Sequence, residues 1–80
     1  MTDTIEFRER VALSIDHDIA HVQMNRAEKR NGLDWDMMRG LIDAASYIRK
    51  QREVRAVILS GEGKAFCAGI DVKELEGKNG

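Results

Sequence analysis

Eighty residues with thirteen Lys and Arg against fourteen Asp and Glu, a net charge of −1, 42% hydrophobic and 34% charged side chains suit one small domain or a piece of a larger one. That balance argues against disorder and gives no electrostatic reason to expect nucleic acid or a membrane surface as a partner. The single cysteine, Cys67, excludes an intramolecular disulfide; with a polar start at residues 1–4 and no apolar run of signal-peptide or transmembrane length, it makes the cytoplasm the expected compartment.

The first predicted element is a strand. Val11, Leu13 and Ile15 alternate with Ala12, Ser14 and Asp16, a period of two. His17-Asp18 predicts a tight turn into a second strand over residues 19–24, with Ala20, Val22 and Met24 on one face, and the two strands pair as a hairpin. Residues 25–32 read as a polar, largely basic loop in which Arg26, Lys29 and Arg30 are either a solvated surface or phosphate contacts. Asp34 is a candidate N-cap and Asp36 suits the positive end of the helix that follows. The helix covers residues 35–51, and its apolar stripe is Trp35, Met38, Leu41, Ile42, Ala45 and Ile48. Residues 54–60 form the third strand. Its Ala56-Val57-Ile58-Leu59 run does not alternate, the pattern of a strand covered on both faces in a parallel sheet. Strand, helix, strand makes a crossover unit. A glycine loop from Gly61 then leads to a short helix over residues 71–76, with Asp71 as N-cap and Glu74 at the third helical position, and residues 77–80 read as a frayed or truncated tail. The class is α/β in the order β-β-α-β.

The glycine loop carries the chemistry. A strand that breaks at Gly61 and Gly63 and restarts as a helix leaves backbone N–H groups unpaired, and these favour negative charge, an oxyanion or a phosphate. Glycines are also common in plain strand-to-helix turns. Gly61-x-Gly63-x-x-Phe66 lacks the last glycine of a dinucleotide fingerprint and follows a hairpin, which disfavours a nucleotide-binding reading. Cys67 sits in an apolar run with no neighbouring base, the setting of a small buried residue and not of a nucleophile. His17 and His21 lie across a turn, so they read as solvated and not as metal ligands. Asp71 reads as a cap before it reads as a catalytic acid.

Four segments in order resemble the crotonase superfamily, the enoyl-CoA hydratases and isomerases. Ile19-Ala20-His21-Val22-Gln23-Met24-Asn25-Arg26 is similar to the family's second strand and following loop, and Glu28-Lys29-Arg30-Asn31-Gly32-Leu33 to its next loop. Arg55-Ala56-Val57-Ile58-Leu59-Ser60-Gly61 and Lys64-Ala65-Phe66-Cys67-Ala68-Gly69-Ile70-Asp71 complete a match running from about Val11 to Glu74. Ala27 stands where the family usually has proline, and Gly32 where alanine is commoner. Gly69-Ile70-Asp71 resembles the dienoyl-CoA isomerase branch as much as the hydratases.

The resemblance implies the incomplete opening of a ClpP/crotonase spiral of repeated β-β-α turns, residues 1–80 being the N-terminal part of an acyl-CoA domain. It implies an acyl-CoA thioester substrate, with CoA as part of that substrate, no separate cofactor and no metal. It assigns the Ile70 backbone N–H to the oxyanion hole that stabilises a thioester enolate during enoyl-CoA hydration or double-bond isomerisation. Ala68, Gly69, Asp71 and Val72 line the thioester and pantetheine path, with the Ala68 backbone near the adenine. Lys73, Lys29 and Arg30 are candidates for the CoA phosphates. The second oxyanion donor and the proton-moving acids of the family lie later in its chain, so the isolated segment is expected to be inactive. The alternative is a non-catalytic fragment that binds CoA weakly, self-associates or docks on a full-length relative through its open sheet.

Overall fold

A computed structural model describes residues 4–71, in which four strands form one sheet in the order β1-β2-β3-β4. The strands are β1 (Thr4–Phe7), β2 (Val11–Asp16), β3 (Ile19–Met24) and β4 (Ala56–Gly61), with helix α1 (Trp35–Arg49) and a short 3₁₀ turn (Ala27–Lys29) between β3 and β4. The β2–β3 hairpin is antiparallel from Val11↔Met24 to Asp16↔Ile19, and β3 pairs in parallel with β4 across the helical crossover. Val11 and Leu13 from β2 and Ala20, Val22 and Met24 from β3 point to one face and are buried, as their alternation predicts. The short helix and the capping partner Glu74 predicted after Asp71 lie outside the described residues.

β1 was not legible from the alternation alone. Ile5 and Phe7 alternate with Thr4 and Glu6, and the strand lies antiparallel to β2 with Phe7 opposite Val11. A four-residue turn joins them, closed by Arg10 N–H donating to the Phe7 carbonyl at 3.1 Å. Arg8 and Glu9 both take left-handed backbone there, φ 58° and 55°, without the glycine or asparagine that marks such turns in a sequence.

α1 begins where its cap dictates. The Asp34 carboxylate accepts from the Met37 N–H at 2.7 Å, satisfying one donor of the open first turn. The helix ends at Arg49, two residues short of the expected end. Its buried face is Met37, Gly40 and Ala44, with Leu41, Tyr47 and Ile48 partly buried against the core. The expected stripe is therefore corrected: Trp35, Ile42 and Ala45 are exposed. Gly40 explains the rotation. A Cβ there would lie 3.1 Å from both the Phe7 carbonyl oxygen and Val11 Cγ2, so the helix touches the sheet closest at a residue with no side chain to count. Phe7 and Tyr47 tie β1 to α1, their rings 6.2 Å apart and tilted by 58°.

A second correction concerns β4. β4 stands at the end of the strand order and is an edge strand, and α1 packs mainly on β1, β2 and β3. Val57, Ile58 and Leu59 are each about half exposed (51%, 47% and 48%), not covered on both faces. Residues of doubly covered type are present; the layers that would cover them are not among the described residues.

The cap residue Asp34 is also the centre of a charge cluster. Arg10 donates to it from Nη2 at 3.0 Å and Nε at 3.2 Å, and Arg26 Nη1 lies 3.3 Å away. Burial is the largest single influence on this carboxyl and pulls its pKa up. The Arg10 hydrogen bonds, the Met37 amide and the charges of Arg10 and Arg26 together outweigh it, so the pKa lies below the ordinary aspartate value. A carboxyl with a depressed folded pKa adds stability that is present above its unfolded pKa, about 3.9, and is lost as pH falls through the lower folded value. Asp34→Asn keeps the cap and removes the ion pairs. It should destabilise the fold at pH 7 by about 1–3 kcal/mol, the worth of hydrogen bonds to a charged group, because Arg26 keeps Asp71 and Arg10 stays near Asp36. It should also flatten the loss of stability below about pH 4; denaturant melts at pH 7 and pH 3 measure both effects.

Candidate oxyanion loop and cleft

β4 delivers the chain into the loop at Gly61, where only glycine fits. A Cβ at this position would collide with the Phe66 carbonyl oxygen and lie 2.7 Å from Asn31 Nδ2. Gly63 and Gly69 take left-handed backbone, φ 88° and 96°, and let the loop double back. It returns to the segment before α1. The Ala68 N–H donates to the Arg30 carbonyl at 2.8 Å, the Leu33 N–H to the Gly69 carbonyl at 2.8 Å, and the Asp71 N–H to the Leu33 carbonyl at 3.0 Å. Leu33 and Ile70 thereby form a one-residue parallel bridge.

Asn31 holds the loop from inside. It is fully buried, with a left-handed backbone at φ 56°, which asparagine tolerates better than most residues. Its Oδ1 accepts the Arg26 N–H at 2.8 Å, and its Nδ2 donates to the carbonyls of Glu62 at 3.0 Å and Ala65 at 2.9 Å.

These bonds fix one peptide plane in particular. The Gly69–Ile70 peptide is trans, so its C=O and N–H point in opposite directions. The C=O is held by Leu33, and the N–H is turned away from that segment. Among the described residues the Ile70 amide donates to no acceptor, although the amides of Ala68, Gly69 and Asp71 around it are all engaged. The Ile70 side chain is 62% exposed, so the backbone and not the side chain is what the fold fixes here.

A cleft of about 380 Å³ lies against this loop, lined by Glu28, Lys29, Arg30, Gly32, Ala68, Gly69, Ile70 and Asp71. The structure thus brings Lys29, Arg30, Ala68, Gly69, Ile70 and Asp71, all singled out in the sequence, to one wall. Val72 and Lys73 lie outside the described residues. Glu28 and Gly32 join the cleft unannounced; the 3₁₀ turn that carries Glu28 between the basic residues was read only as loop. A depression of similar size, about 430 Å³, lies on the opposite sheet face among Ser14, His21, Gln23 and Ser60, but no lysine or arginine lines it.

Arg26 departs from both readings the sequence allowed. It is neither solvated nor a phosphate contact: its side chain is 6% exposed and its Nη1 donates to Asp71 Oδ2 at 3.0 Å. Asp71 is thereby engaged by a buried cation at the end of the loop. Cys67 is partly buried against the core, and its Sγ accepts the Gly69 N–H at 3.4 Å. His17 and His21 are both exposed.

Residues 14–80 match the family model described as enoyl-CoA hydratase/isomerase. The chain belongs to that family. It is 42% identical over 57 residues to the mitochondrial Delta(3,5)-Delta(2,4)-dienoyl-CoA isomerase of Mus musculus, covering 71% of this chain and 17% of that protein. It is 37% identical over 65 residues to a probable enoyl-CoA hydratase of Mycobacterium tuberculosis, covering 81% and 25%. Among solved structures, an enoyl-CoA hydratase/isomerase from Xanthobacter autotrophicus Py2 superposes with a TM-score of 0.80 at 30% identity, over 88% of this chain and 26% of that one. The fold is that of one part of a crotonase-type domain, and the chain spans a quarter or less of the curated relatives named here. No helix among the described residues is long and apolar enough to cross a membrane.

The Asn31 staple is testable by one atom. Asn31→Asp preserves the shape and the bond from the Arg26 amide, but replaces the donor that faces two carbonyls with an acceptor. Each buried group left unpaired costs about 1–3 kcal/mol. The variant should lower the urea midpoint accordingly, and loop amides 62–66 should lose protection from hydrogen exchange ahead of the β2–β3 hairpin.

Proposed function

We propose that this chain supplies one donor of an oxyanion hole and part of the CoA cleft in an enoyl-CoA hydratase/isomerase-type protein. The observation that carries the reading is the unengaged Ile70 N–H, held in a fixed peptide plane beside a cleft with Lys29 and Arg30 on its wall. Hydration of a 2-enoyl thioester and migration of its double bond both build negative charge on the thioester oxygen. A donor fixed before the reaction stabilises that charge without reorganising during it. The Ile70 amide takes the thioester oxygen. Ala68, Gly69, Asp71 and Val72 line the acyl and pantetheine path, with the Ala68 backbone beside the adenine. Lys29, Arg30 and Lys73 meet the CoA phosphates. CoA enters as part of the substrate, and the reaction calls for no metal or redox cofactor. The working compartment we assign is the cytoplasm.

By the family resemblance, the acid and base that move protons in such reactions lie later in the chain than this segment. General acid–base catalysis is worth about 10²–10⁴-fold. The isolated 80-residue chain should therefore give no loss of enoyl absorbance from crotonyl-CoA above buffer controls. The second reading, a non-catalytic piece that binds CoA weakly or docks on a longer relative, is favoured by one observation, the half-exposed apolar edge of β4. Clear protein-dependent hydration by the isolated chain would overturn it.

The oxyanion assignment is tested in a full-length family protein that carries this segment. Ile70→Ala should be mild, since the amide and not the side chain acts. Ile70→Pro removes the N–H and should lower turnover by about 10²–10³-fold, with folding and CoA binding checked alongside. Lys29→Ala should raise KM through a lost phosphate contact with little change in kcat. An Ile70→Pro protein that folds, binds CoA and turns over at the parent rate would return the loop to a plain strand-to-helix turn.

A further inference from the structure

The bridge that orients the Ile70 amide is itself held by a side chain. Leu33 and Ile70 are the two bridge residues. Arg26 Nη1 reaches the neighbours of both: the Gly32 carbonyl at 3.4 Å and the Asp34 carboxylate at 3.3 Å on either side of Leu33, and the Asp71 carboxylate at 3.0 Å next to Ile70. One end of a buried guanidinium therefore touches both segments of the bridge. Arg10 joins the cluster through Asp34 and also lies 4.0 Å from the more exposed Asp36, so the two cations are met by opposite charges where burial would make an unpaired one costly. All three Arg26 contacts are made by Nη1, so they depend on where one guanidinium nitrogen stands; a lysine carries its ammonium on a shorter, more flexible stem and would not place a donor at the same point.

We propose that Arg26, acting through Asp71, is a positioning residue for the Ile70 amide: it sets where the oxyanion donor stands and leaves the CoA contacts to other residues. The inference rests on the oxyanion reading of Ile70. Arg26 touches no reacting atom; its effect passes through the Asp71 carboxylate and the Leu33–Ile70 bridge to the peptide plane beside them. A misplacement of about 1 Å in such a group costs up to about 10²-fold in rate.

The test again uses a full-length family protein carrying residues 1–80 of this chain. Arg26→Lys keeps the charge and loses the planar guanidinium and its reach. Asp71→Asn keeps the shape and weakens the pull of Arg26, and as the near-isosteric change it decides the matter if Arg26→Lys does not fold. Two ligands separate positioning from folding: an acyl-CoA thioester substrate, and an S-alkyl-CoA thioether, which has the CoA portion but no carbonyl oxygen. The expected result is a fall in kcat of about 10–100-fold in each variant; thioether affinity stays within about twofold of the parent in Arg26→Lys, whose residue lines no part of the cleft, while Asp71, which does line it, is judged on kcat alone. The double variant should be no slower than the worse single one, since both act through one contact. Unchanged kcat in Asp71→Asn would overturn the proposal. So would a parallel loss of thioether affinity and kcat in Arg26→Lys, which is what a merely structural residue would give. Ile70→Pro, run beside them, separates the two readings. If it is severe while Arg26→Lys and Asp71→Asn are silent, only the positioning role fails. If it is silent, the oxyanion reading fails, and this inference with it.

Discussion

A buried guanidinium is the constraint around which this segment is built. Arg26 follows β3, Asp34 caps α1 and Asp71 closes the glycine loop, so three parts of the chain converge on one cation. Removing charges from water costs several kcal/mol per ion, and only good geometry with several partners offsets it. The arrangement meets that condition with two carboxylates and a backbone carbonyl. Its consequence is geometric more than energetic. An apolar cluster of the same volume would fill the space but would not dictate the direction of a neighbouring peptide plane, whereas hydrogen bonds donated by a planar guanidinium nitrogen have preferred directions.

The helix cap and the loop are coupled by the same atoms. Asp34 serves the Met37 amide and both arginines, and the Arg10 guanidinium, hydrogen-bonded to it, has its pKa pushed above its ordinary value. By contrast the exposed Arg8–Asp43 pair, at 2.9 Å, joins the first turn to α1 with little energetic weight, since solvent screens it. Position in the fold, not the number of ion pairs, decides which of them matter.

How much of this could be read in advance follows from the range of each interaction. The β2–β3 hairpin and the Asp34 cap are local, and their residues carry the signal within a few positions. The face of α1 is not local. It is set by the close approach of Gly40 to β1 and β2, and a glycine adds nothing to an apolar pattern. β1 needs β2 as its partner before Ile5 and Phe7 mean anything. β4 has the composition of a covered strand, but its cover is not among the described residues. In the cleft, the resemblance singled out residues that do share one wall, and it passed over Asn31 and Arg26. Both are polar residues in a polar loop, and the partners that tie them to the glycine loop are far off in sequence: Asn31 reaches Glu62 and Ala65, and Arg26 and Asp71 are 45 residues apart. A buried polar group is recognisable only once its acceptors are in place.

The sheet register has a kinetic consequence. β2 and β3 meet through a two-residue turn, so that pairing closes a very small loop. β3 and β4 pair in parallel, with Ile19 opposite Ala56, and the whole of α1 lies in the intervening chain. Loop-closure entropy must be overcome before such a distant contact gives anything back, which makes parallel pairing slow compared with a hairpin. The glycine loop hangs from the end of β4, and the bridge that aims the Ile70 amide depends on that strand being in place. The set of the Ile70 peptide is therefore among the last features of this segment to take shape as it folds and, by the same ordering, among the first to be lost when β4 lets go.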